Sequence, residues 1–280
     1  MVPIIKKYPL ISFVVLTYAI SWSFLYPSFQ MILANDGITP LALIGLIGAF
    51  GPTISAIIVT KIAEGKEALK SLLRKYLIFK VNYKYYLFVL FVPVLLQIAG
   101  ILLSKIFGYS LGEFNLASGL KGYIPYLLIT IPFGPLAEEL GWRGYLLPKL
   151  LKKFGVIKAS LLVGFIWSLW HLAAFSFPGA AIPAEFEVDL WSLSFYFLQL
   201  IALSLIFTYV FLRTRGSVFI AIILHAAFNA NENIAFSFFN GVGDNMNQLR
   251  FLFVTYIVLM FLLSVSLLYN FKRWHIKSLN

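Results

Sequence analysis

Six polar residues have side chains suited to hydrolysis, and they lie within long apolar stretches of the chain. They are Glu138, Glu139, Arg143, His171, His225 and Asn229. Glutamate and histidine together can take a proton from water, which is the general-base step of hydrolysis. A second histidine with an asparagine supplies hydrogen-bond donors for a developing oxyanion. These residue types therefore predict an amide hydrolase that activates water and has no covalent nucleophile.

The spacing of these residues along predicted helices brings them to one level. Glu139 and Arg143 are four residues apart and can pair on one helix face. The same spacing separates His225 from Asn229. At a rise of about 1.5 Å per residue, the glutamates and both histidines lie roughly 15 to 20 Å from the basic residues that end their helices. Ionisable groups within apolar helices are costly, so three helices that carry them at similar depth predict a single shared site.

Aromatic side chains flank the polar residues. Trp142, Trp167 and Trp170 each lie within four residues of one of them. We expect these three indoles to form walls of the site and to contact the substrate.

The same residue types also allow a metal ion. Two histidines and one glutamate are a common catalytic zinc set, with one position left for water. In this chain the set would be Glu138, His171 and His225, drawn from three helices because the chain has no H-E-x-x-H motif. The spacing is compatible with metal-bound and with metal-free water.

The composition predicts that the helices carrying these residues span a membrane. The chain is 61% hydrophobic and 12% charged, whereas a soluble domain is about 45–50% apolar and about 25% charged. Apolar runs of about 20 residues, enough to cross a bilayer, recur from end to end. We expect a single integral membrane domain over residues 1–280, an all-α bundle of about eight spans. The spans are predicted near 10–33, 40–62, 84–106, 121–148, 157–176, 191–212, 216–239 and 250–271. The absence of cysteine removes disulfides and thiolate catalysis.

The net charge of +11 is distributed unevenly between the connections. Basic residues occupy alternate connections, and the others carry mostly acids. By the positive-inside rule, the basic connections and both termini are cytoplasmic in a multi-pass protein of the cell membrane. The surplus positive charge then faces anionic lipid, and nucleic-acid binding is not needed to explain it. Residues 64–80 are amphipathic and predict a helix lying on the membrane surface.

Three motifs in this order resemble those of the CAAX protease and bacteriocin-processing family, also called CPBP or Abi. The segment Glu138–Arg143 follows its E-E-x-x-x-R pattern. Trp167 precedes His171 by four residues, with tryptophan where phenylalanine is usual, and His225 precedes Asn229 by four. The resemblance covers about residues 40–240, and the family includes the Ras and a-factor converting CAAX endopeptidase of eukaryotes.

The resemblance implies a role for each polar residue. Glu138 and His171 would activate the hydrolytic water, and His225 and Asn229 would form the oxyanion hole. The second glutamate and the arginine would orient the site or the substrate. The implied reaction is cleavage near the C-terminus of a prenylated CAAX-type or other membrane-associated peptide. We favour a mechanism that requires no cofactor, with a zinc-dependent one as the alternative.

Two other functions fit the same residues. The first is a non-catalytic bacteriocin-immunity or scaffold protein on the same fold. The second is a transporter whose buried glutamates and histidines relay protons. Transporters commonly show repeat symmetry between their halves, and none is visible in this sequence.

Overall fold

The chain folds into a bundle of α-helices in a computed structural model. The structure describes residues 2–35, 37, 39–234, 239–240 and 245–269, without the side chains of 232–234 and 240. The basic residues after position 270, which the sequence analysis placed in the cytoplasm, lie outside this range. The all-α membrane fold predicted from composition is confirmed.

In chain order, the helices of the described residues are α1 (Val2–Lys7), α2 (Pro9–Ala34), α3 (Gly45–Ala49), α4 (Gly51–Ala63), α5 (Lys66–Arg74), α6 (Tyr83–Ile106), α7 (Leu116–Thr130), α8 (Pro135–Glu139), α9 (Leu147–Trp170), α10 (Leu190–Arg213), α11 (Val218–Ile234) and α12 (Met246–Tyr269). A π-helix, Leu140–Leu146, joins α8 to α9. Short 3-10 turns occupy Leu41–Ile44, Lys75–Leu77, Ile131–Phe133 and His171–Ser176. A two-residue strand, β1 (Glu113–Phe114), pairs antiparallel with β2 (Phe239–Asn240).

Several helices begin where the sequence provides a cap. Asn82 accepts a hydrogen bond from the backbone N–H of Lys84 at the start of α6. Asp189 accepts one from the N–H of Ser192 at 2.8 Å and completes a capping box at the start of α10. These side chains bind backbone N–H groups that the first helical turn leaves without partners.

The prediction of about eight spans is not confirmed. Among the described residues, five helical segments are long and apolar enough to cross a membrane, and a sixth is the bent pair Leu41–Ala49 and Gly51–Ala63. One of the five, Pro135–Ser176, contains the predicted span 157–176 and the second half of the predicted span 121–148, and it is interrupted at Gly155, where φ is 74°. Helix α7 has 15 residues, fewer than the roughly 20 that cross the hydrocarbon core.

Helix α10 lies at the centre of the bundle, packed mainly against α9 and α12. Its side chains are buried along most of its length. Helix α6 lies at the periphery, because Leu87, Phe91 and Leu95 are exposed at four-residue intervals along one face. Such an exposed apolar stripe is expected of a helix that faces lipid.

Candidate active site

The segment that carries Glu138, Glu139 and Arg143 begins just after a break between two helices. Helix α7 ends at Thr130, and Gly134, with φ −152° and ψ −69°, ends the 3-10 turn that follows. Pro135 then occupies the first turn of α8, where its missing N–H costs no helical hydrogen bond. The π-helix begins directly after Glu139, and π-helical turns occur frequently at functional sites.

Glu138 is held by two indoles. Its side chain is buried, and its Oε2 atom accepts hydrogen bonds from Nε1 of Trp167 at 2.7 Å and of Trp142 at 3.2 Å. Both donors bind the same oxygen, so they hold one side of the carboxylate in place. The interaction joins α8 to α9 at the level of the site.

Glu139 forms a buried polar network with a basic side chain on each side. Its Oε1 atom accepts hydrogen bonds from Nη1 of Arg143 at 2.9 Å and from Nδ1 of His225 at 2.8 Å. Glu139 and Arg143 are both 0% exposed. The guanidinium also lies between two rings, 4.2 Å from the centroid of Trp167 and 3.9 Å from that of Phe207. Arg143 is therefore neutralised inside the protein and does not extend to the membrane surface.

The imidazole of His171 is held by a hydrogen bond from Nδ1 to the backbone. It begins the 3-10 turn after α9, and its Nδ1 donates to the carbonyl of Trp167 at 2.9 Å. Its ring packs edge-on against Trp167, Trp170 and Tyr196. Since His225 also uses Nδ1, toward Glu139, both imidazoles retain Nε2 for water or substrate.

A cavity of about 820 Å³ brings the predicted catalytic side chains together. Glu138, His171, His225 and Asn229 all line it, from α8, the end of α9 and α11. The cavity continues toward the connection between α9 and α10, whose residues 179–185 form part of its wall. This volume is within the range of small-molecule and cofactor sites.

The three tryptophans that we expected to form walls of the site occupy different positions. Trp167 and Trp170 line the cavity. Trp142 is 0% exposed and lies behind Glu138, packed edge-on against Phe13 and Trp170. Its indole is therefore placed to orient the glutamate.

Sequence reasoning missed two parts of the cavity wall. Gln97, in the middle of α6, lines the cavity, and a glutamine within an apolar span was a signal that could have identified it. The segment 179–185 was assigned only to an acidic connection, although its glycine and alanines allow the backbone to pass close to a site.

The three side chains of the proposed zinc set, Glu138, His171 and His225, all line the cavity. In the part of the chain that the structure describes, no three or more histidine, aspartate or glutamate side chains are grouped closely enough to hold one ion. The metal-free mechanism stays a prediction.

A helical membrane bundle with a buried glutamate–histidine cluster on an internal cavity is the arrangement expected of an intramembrane hydrolase. The sequence model of the type II CAAX prenyl endopeptidase Rce1-like family matches residues 120–231, which include all six polar residues. The chain is 31% identical over 234 residues to CAAX prenyl protease 2 of Methanococcus maripaludis, covering 82% of this chain and 84% of that protein. The chain belongs to the type II CAAX prenyl endopeptidase family, and it is an intramembrane endopeptidase.

Proposed function

We propose that this protein cleaves a peptide bond near the C-terminus of a prenylated CAAX-type substrate, using water activated by Glu138 and His171. The observation that carries the proposal is the convergence of Glu138, His171, His225 and Asn229 on one cavity. The CAAX prenyl protease 2 that this chain resembles supports the choice of substrate.

Glu138 acts as the general base. The two indole hydrogen bonds on Oε2 leave Oε1 to take a proton from water. His171 uses Nδ1 to bind the Trp167 carbonyl, so its Nε2 can accept a hydrogen bond from the same water and orient it. The resulting hydroxide attacks the scissile carbonyl carbon, and Glu138 then returns the proton to the leaving amine.

His225 and Asn229 stabilise the tetrahedral intermediate. With hydrogens on both ring nitrogens, His225 donates Nδ1–H to Glu139 and Nε2–H to the oxyanion. The Asn229 amide provides a second donor from the next turn of α11. Removing one such donor from an oxyanion hole costs about 10²- to 10³-fold in kcat. The buried ion pair of Glu139 and Arg143 holds the imidazole in place.

The remainder of the cavity suits an apolar ligand. Leu25, Phe29, Phe133, Leu249 and Phe253 contribute apolar walls around the polar cluster. A prenyl chain buried there would gain roughly 25 cal/mol for each Å² of apolar surface removed from water.

Cleavage of synthetic peptides by detergent-purified protein tests this function. We expect release of the C-terminal tripeptide from a farnesylated CAAX peptide, detected by mass spectrometry. The same peptide without the farnesyl group should be a poor substrate. Equal cleavage of both peptides would contradict the prenyl requirement, and cleavage elsewhere in the peptide would contradict the proposed position of the scissile bond.

The metal-free mechanism has its own test. Because Glu138, His171 and His225 are not grouped as metal ligands, we expect activity to survive dialysis against a zinc chelator. Loss of activity that added zinc restores would establish the zinc-dependent alternative.

A further inference from the structure

The segment that follows α5 binds several of the elements that surround the site. Tyr76 donates its hydroxyl hydrogen to the carbonyl of Leu136 at 3.0 Å, and Nζ of Lys75 donates to the carbonyl of Gly144 at 2.5 Å. Two residues further on, the Ile78 carbonyl accepts a hydrogen bond from Ser217, which directly precedes α11. One short segment outside the spans therefore contacts α8, the π-helix and the start of α11.

The two carbonyls that Lys75 and Tyr76 bind lie on either side of the catalytic motif. Leu136 precedes Glu138, and Gly144 directly follows Arg143. Gly144 lies in the π-helix, four residues before Pro148, which has no N–H to donate to the preceding turn. The Lys75 ammonium donates to a backbone carbonyl of this turn.

Apolar contacts hold the same segment in place. Leu72, on α5, is 5% exposed. Its Cδ1 atom would lie 3.3 Å from a Cβ added to Gly144, so the leucine packs directly against the backbone of the π-helix. Glycine at 144 permits this close approach.

We propose that Lys75 and Tyr76 are positioning residues that fix the catalytic segment from Glu138 to Arg143 for the reaction. They bind its flanking carbonyls and touch no reacting atom. The inference rests on the proposed catalytic role of Glu138, since it concerns how that carboxylate is placed. A misplacement of about 1 Å can cost about a hundredfold in rate.

The charge of Lys75 gives this role a pH signature. Burial lowers the pKa of Lys75 to about 8, with the positive charges of Lys149 and Lys152 acting in the same direction and Glu64 opposing them. Above pH about 8 the neutral amine is a weaker donor to the Gly144 carbonyl than the ammonium. An arginine at this position stays charged throughout that range.

Steady-state kinetics of Lys75→Met and Tyr76→Phe on the farnesylated peptide test the proposal. We expect kcat to fall roughly tenfold or more, with KM changed less than about twofold, because the binding cavity is untouched. Lys70→Met is the matched control, since Lys70 lies on the preceding helix α5, where its half-exposed side chain pairs with Glu67 at 2.7 Å. Lys75→Arg should restore kcat and retain activity to higher pH than the parent.

Parallel measurements separate the possible failures. A fully active Glu138→Gln variant would refute the proposed function itself. If Glu138→Gln is inactive while Lys75→Met and Tyr76→Phe keep the parental kcat, only the positioning role is refuted. Identical pH profiles for the parent and Lys75→Arg would also count against it, even if Lys75→Met fails to fold.

Hydrogen exchange provides a readout that needs no substrate. Amides of residues 134–148 should exchange faster in Lys75→Met and Tyr76→Phe than in the parent and in Lys70→Met, because the carbonyl contacts limit opening of that segment. Unchanged exchange in both variants would overturn the inference, whatever peptide the enzyme cleaves.

Discussion

The indole N–H of Trp167 donates to Glu138 over 2.7 Å, although the two residues are 29 positions apart on different helices. The same ring lies 4.2 Å from the guanidinium of Arg143 and packs edge-on against His171 and His225. One aromatic side chain thus contacts the proposed base, both histidines and the buried arginine. The geometry of the site depends on packing between α9 and the π-helix as much as on the polar residues.

Removing the charge of Glu139 should destabilise the protein. Glu139→Gln leaves Arg143 buried without its counter-ion, and breaking a buried pair in this way costs about 3–5 kcal/mol. Glu64→Gln is the control, because its pair with Lys149 is partly exposed and should be worth less than about 1 kcal/mol. Thermal unfolding in detergent compares the two variants. Equal shifts in Tm would show that the buried network contributes no more than the surface pair.

A methyl group at position 141 should disturb the catalytic segment. A Cβ on Gly141 would lie 2.6 Å from backbone and side-chain atoms of Pro52, so α4 and the π-helix would have to separate. Overpacking of this kind costs about 1–3 kcal/mol. We expect Gly141→Ala to lower both Tm and kcat.

Gly100→Ala is the matched control for that substitution. Among the described residues, its Cβ would meet only Thr255, at an ordinary distance of 3.8 Å. We expect it to behave like the parent in both assays. If Gly141→Ala also matched the parent, the close contact between Gly141 and Pro52 would not be needed for the site.

Much of the polar cluster could be predicted from sequence, because helical spacing is local. The i, i+4 relation of Glu139 and Arg143 predicted an ion pair, and the structure has it at 2.9 Å. Equal depth along separate helices predicted one site, and the cavity lined by Glu138, His171 and His225 agrees with that expectation.

The remaining features depend on contacts between distant segments. The π-helix could not be predicted from apolar periodicity, which does not distinguish it from an α-helix over so few residues. The Phe207 ring that packs on Arg143 comes from α10, which carries none of the predicted polar residues. The number of spans stays a prediction, because hydropathy does not show where a helix bends or merges with the next, as Pro135–Ser176 does.

The orientation in the membrane remains a prediction that the cysteine-free sequence makes easy to test. The positive-inside rule places Lys152 in the cytoplasm and Glu185, one predicted span later, on the opposite side. Both side chains are exposed, and Glu185 lies on the cavity wall. Single cysteines at these positions should react with an impermeant maleimide from opposite sides of the membrane. Labelling of a cysteine at 185 only from the cytoplasmic side would reverse the predicted orientation.

The turnover of Glu138→Gln on a farnesylated CAAX peptide tests the central claim most directly. The amide keeps the size of the side chain and can still accept the indole hydrogen bonds, but it cannot take a proton from water. General-base catalysis contributes about 10²- to 10⁴-fold, so kcat should fall by about that factor while Tm stays near that of the parent. A folded Glu138→Gln protein that releases the tripeptide at the parental rate would contradict the assignment of Glu138 as the base.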